Sequence, residues 1–176
     1  MNSQLIFRNI GRFLLLMLLQ VLILNNVYLG GYINPYLYIL FIAMLPTDTG
    51  KIPMIIISFC TGLCIDVSTN MLGFHTFACT LIGFLRPIWF DKIIIRDNNE
   101  AISTPSVYSG SYQMFALYLF LILFVFHLTF YLLLIFSFRD FFTILISALL
   151  STVLTWILAI IYQTLIMHHS KNNETH

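Results

Sequence analysis

Long apolar runs alternate with short polar or proline-bearing stretches along this chain, and several runs are as long as a bilayer is thick. A spanning helix needs about 20 mostly apolar residues, with a range of roughly 17–25. The pattern predicts spans at 10–28, 34–46, 52–66, 71–90, 112–138 and 141–167. In the first, Gln20 is the one polar interruption. Arg8 and Arg12 precede its leucine-rich stretch as in a signal peptide, but no small-residue cleavage site follows, so it reads as an uncleaved span. The second and third are short. At about 1.5 Å per residue each reaches only about 20 Å. One of them is therefore tilted, embedded without crossing, or longer than drawn, which keeps five spans open beside six. The polar stretch 91–111 separates the fourth and fifth spans, and the polar tail from His168 is expected to fray.

Composition turns the pattern into a class. Of the 176 residues, 60% are hydrophobic and 9% charged, whereas a soluble domain carries about 25% charged residues. The chain is expected to be an all-α integral membrane protein, one polytopic domain over 1–176. No stretch between spans is long enough for a core of its own. A net charge of +1 offers no basic field for nucleic acid. Cys60, Cys64 and Cys79 lie inside apolar runs and read as small hydrophobes. With six spans, Arg8, Arg12, Lys51, Arg86, Lys92, Arg96 and Lys171 share one side and only Arg139 falls on the other. That skew predicts cytoplasmic termini and a cytoplasmic 91–111 segment.

The chemistry concentrates in "GLCIDVSTNMLGFHTFA", residues 62–78. Gly62 and Asp66 stand four apart, hence on one helix face. The following "VSTN" offers groups that close one helix and cap the next near Met71. Gly73 then falls in the first turn of the fourth span, where a missing side chain permits close helix contact. Asp66 is either a solvated carboxylate at a helix end or a buried, paired acid of the kind that usually has a role. For the second case the depth of the spans names His75 as partner and Arg139 as the next choice. Arg86 lies about three turns deeper. A structural pin between Asp66 and His75 predicts a mild effect of Asp66→Asn and a severe one of Asp66→Leu.

These residues carry a resemblance. The stretch 62–78 resembles the glycine, aspartate and leucine–glycine motif of the MreD family of bacterial rod-shape-determining membrane proteins. The upstream "QVLILNNVYLGGYINPYLYILFIAMLP" is similar to that family's first two spans, and "FLRP" (84–87) to the end of a fourth span in one branch. Residues 12–90 carry the match; the last two spans match only in length and hydropathy. The resemblance implies a bundle similar to the membrane substrate-binding subunits of energy-coupling-factor transporters. It also implies a scaffold in the bacterial inner membrane that binds MreC and works beside MreB and the peptidoglycan synthases. Gly62, Asp66, Gly73, His75 and Arg86 are its motif or partner-binding residues here.

Other chemistries fit less well. A second carboxylate is missing for an aspartyl protease, and no motif links Ser58, Ser147 or Ser151 to His127. No enzyme, cofactor or metal is expected. Cys60 and Cys64 share a face and His168–His169 sit in the tail, but a closed zinc site needs four ligands in reach. A small-molecule-binding or transport subunit is the alternative, with Asp66, Gln20, Asn25 and Asn26 lining an outward pocket. The scarcity of polar groups inside spans favours the scaffold, with the aromatic-rich fifth span as the candidate contact surface, unless its bulk simply faces lipid.

Overall fold

A computed structural model describes residues 3–27, 33–71, 73–93 and 112–173. These form six α-helices: α1 (Ser3–Leu22), α2 (Ile39–Ala43), α3 (Lys51–Thr69), α4 (Phe74–Ile93), α5 (Tyr112–Ile135) and α6 (Phe141–Asn173). Four stretches are long and apolar enough to cross a membrane: Ile6–Asn26, Lys51–Thr69, Tyr112–Ile135 and Phe141–Leu165. The expected loop 91–111 lies outside the described residues beyond Ile93, so the placement of that loop is not addressed by the fold.

The second expected span does not form as a helix that crosses. Of residues 34–46 only Ile39–Ala43 is α-helical, and residues 35–46 are buried throughout. The third span is longer than expected, 19 residues from Lys51. It gains a turn past Asp66 because Asn70 adopts a left-handed φ of 53° and its N–H returns to the Asp66 carbonyl, the usual way such a residue ends a helix. At the other end Gly50 opens α3, and Pro53 falls in the first turn where no intrahelical N–H is needed. The tail expected to fray stays helical as far as Asn173.

α3 and α4 form the most extensively packed pair, followed by α5 with α6 and α4 with α5. Two glycines set the first contact. A Cβ on Gly62 would lie 2.5 Å from the Thr76 Cα and 2.7 Å from the His75 carbonyl, and one on Gly83 would meet the Ser58 side chain. α5 is apolar on every face because it is central, with Phe115, Tyr118, Phe126, Phe130 and Tyr131 all buried. Its bulk therefore belongs to the core, and the expected contact surface on the fifth span is replaced by packing. α1 is the least buried of the four long apolar stretches.

Candidate functional site

A non-helical segment inside apolar surroundings must find partners for its N–H and C=O groups, each costing several kcal/mol if left alone. Here the partners are side chains from four helices. Gln20 on α1 donates to the Pro35 carbonyl at 3.0 Å and accepts from the Leu37 N–H at 2.9 Å. On α6, Ser151 accepts from the Asn34 N–H at 3.1 Å and Thr155 from the Tyr36 N–H at 3.2 Å. The Tyr118 hydroxyl of α5 donates to the Ala43 carbonyl at 2.9 Å. Arg12 donates to the Met44 carbonyl at 3.2 Å, and Arg86 of α4 donates to the neighbouring Leu45 carbonyl. Most of the polar groups buried in the long helices thus serve one short segment.

Arg86 is only 2% exposed, and its guanidinium also lies 5.4 Å from the Phe90 ring centroid. It is nowhere among the groups that bond Asp66. Asp66, 3% exposed, receives three hydrogen bonds from the start of α4. Its Oδ1 accepts from the His75 N–H at 3.1 Å; its Oδ2 accepts from the Thr76 N–H at 2.8 Å and the Thr76 hydroxyl at 2.5 Å. The carboxylate of one helix therefore caps the next, where the helix dipole also favours negative charge. The expected partner residue is present, but through its main chain. The imidazole of His75 instead pairs through Nδ1 with the Tyr38 hydroxyl at 2.9 Å. Arg139 is exposed, in the turn Phe138–Asp140, and takes no part.

Gly62 is the close-approach position that its spacing from Asp66 suggests. Gly73 is not: no atom lies within 4 Å of a Cβ there, and its φ of +88° is what calls for glycine. Gly73 turns the chain into α4, so that the Phe77 N–H makes the first helical bond to its carbonyl at 2.9 Å.

The buried hydroxyls are also engaged. Ser58 and Thr152 donate to the carbonyls four residues back, and His127 bonds the Leu123 carbonyl through Nδ1 at 2.8 Å. Thr155 lies 3.3 Å from His127 Nε2 while it also holds Tyr36. Among the described residues no three His, Cys, Asp or Glu side chains gather as a metal site would require.

Two open spaces flank this interior. At the Gly50 end, a lateral groove of about 570 Å³ separates α1 from α3, walled by Ile10, Phe13, Leu45, Ile56, Cys60 and neighbours. At the Asn70 end, a pocket of about 400 Å³ is lined by Asn25, Asn26, Asn34, Tyr36, His75, Phe130 and others. Asn25 and Asn26 line it as the ligand-pocket alternative expects; Gln20 and Asp66 do not, being held elsewhere.

Sequence reasoning missed Tyr38, Tyr118, Thr155 and the role of Arg12. A signal was present: Ser147, Ser151 and Thr155 repeat every four residues along one buried face of α6. No protein-family model, curated protein or solved structure matches the chain.

Proposed function

We propose that the chain is a non-catalytic scaffold of the bacterial cell-elongation complex, of the MreD kind. In this reading it lies in the inner membrane with both termini cytoplasmic, in a bundle related to the energy-coupling-factor subunits. It binds the single-span protein MreC and helps couple the MreB cytoskeleton to peptidoglycan synthesis. The observation that carries the reading is how the interior polar groups are used. Gln20, Tyr118, Ser151, Thr155 and Arg86 all bond the segment 34–46. A bundle so arranged spends its polarity on holding a shape, which suits a docking platform.

The groove between α1 and α3 is the seat we assign to the partner's span, because α1 is the most open long helix and the groove walls are apolar. Cys60 lies in that wall and is exposed. A photoactivatable label on Cys60, with Cys64 changed to serine, is expected to capture a single-span protein in native membranes. Capture of lipid alone overturns the assignment of the groove. Turnover of a cell-wall precursor by the purified chain, abolished by a point substitution, overturns the scaffold itself.

A further inference from the structure

The pocket at the Asn70 end holds an unmet hydrogen-bonding group. His75 is 1% exposed, and its Nε2 has no partner. Buried polar atoms are paired in the great majority of cases, so each exception asks for a cause. The surroundings fix which kind of partner is missing. The Tyr38 hydroxyl accepts from the Cys79 thiol at 3.7 Å and stands 2.9 Å from His75 Nδ1. Its own proton therefore goes to Nδ1, and Nε2 carries the imidazole N–H. What the pocket lacks is an acceptor.

The rest of the lining narrows the class. No Asp, Glu, Lys or Arg lines the pocket, so nothing there neutralises a charged guest. Asn25 gives its amide oxygen to Gln20 at 2.8 Å, which leaves its NH2 as a donor. Asn34 gives its amide nitrogen to Tyr131 at 3.3 Å, which leaves its oxygen as an acceptor. Phe130 stacks on His75 at 4.5 Å and Tyr36 meets it edge-on at 4.8 Å, so ring faces and edges border the cavity. A volume of about 400 Å³ lies within the usual range of small-molecule sites, about 300–1,000 Å³.

We propose that this pocket binds an uncharged, planar heterocycle whose ring carbonyl accepts from His75 Nε2–H and whose ring N–H and second polar edge meet Asn34 and Asn25. The site is independent of the α1–α3 groove, so its failure leaves the scaffold reading standing, and the reverse holds too.

The test uses the full chain in detergent and carbostyril, a fluorescent bicyclic lactam, as probe. Carbostyril is expected to bind saturably with a change in its emission. Naphthalene, of similar shape but without the carbonyl, is expected to compete at least about tenfold more weakly, the loss appropriate to a buried donor left unpaired. Ser68→Phe fills the pocket from an exposed position and is expected to abolish binding without shifting the unfolding midpoint. Asn26→Leu, also exposed, is a second variant with the same folding check and an expected drop in affinity. Absence of saturable binding overturns the proposal, as does a pocket that takes only water. Equal affinity for naphthalene, or unchanged binding in both variants, overturns it as well.

Discussion

At the scale of single residues, Asp66 shows why identity and partner are separate questions. Both carboxylate oxygens accept, and together they take three donors from His75 and Thr76. Asp66→Asn therefore cannot be innocuous, as a simple side-chain pair with His75 would make it: one amide NH2 must face an N–H. The expected cost is about 1–3 kcal/mol, the range for leaving a buried group unsatisfied, and Asp66→Leu is expected to cost more because it strips the cap entirely. Unfolding midpoints in mixed micelles rank the three; a midpoint for Asp66→Asn equal to that of the parent sinks the capping account. The two motif glycines separate on the same assay. Gly62→Ala forces the α3 and α4 backbones apart and is expected to cost about 1–3 kcal/mol. At Gly73 space is free and only φ matters, so Gly73→Asn is expected to be tolerated better than Gly73→Val.

At the scale of elements, the segment 34–46 reverses the expected order of cause. Its prolines and tyrosines do not close a short spanning helix; they mark a chain whose hydrogen bonds are made by its neighbours. Gln20 serves both Pro35 and Leu37, so Gln20→Leu leaves two backbone groups bare and is expected to destabilise by about 2–4 kcal/mol. Thr155→Val removes one acceptor, that of Tyr36, and is expected to cost about half as much. Because both hold the same few residues, the double variant is expected to lose less than the sum, measured as a coupling in a double-mutant cycle. Strict additivity would mean that the segment is not held as a unit. The turn from α3 to α4 is the second such element, since Asn70 and Gly73 turn the backbone while Asp66 fastens its far side.

At the scale of the whole molecule, charge and packing agree about the ends. Arg12 and Arg86 reach the adjacent carbonyls of Met44 and Leu45, one turn of chain from Gly50 and Lys51, so the basic residues of three elements gather at one end. The orientation proposed for this end is cytoplasmic. A cysteine placed at Ser106, in the segment that follows α4, is then expected to resist an impermeant thiol reagent in intact cells and to react once the membrane is opened. Ready labelling in intact cells reverses the orientation.

The linear sequence determined that this is a helical chain with stretches able to cross a membrane, because helix length and apolar content are local properties that need no partner. It also singled out Gly62 and Asp66 as a pair, since residues four apart on a helix share a face whatever surrounds them. It did not reveal that 34–46 would stay mostly unwound, because an apolar run reads alike whether its backbone bonds itself or is bonded by others. Nor did it show α5 as the centre rather than a surface, since bulk on every face suits both lipid and core. The partners of Gln20, Thr155 and Asp66 lie 10 to 135 positions away along the chain or on another helix, and only packing brings them within 3 Å or so. Those contacts were decided by tertiary structure, where every buried polar group must be answered by another at bonding distance.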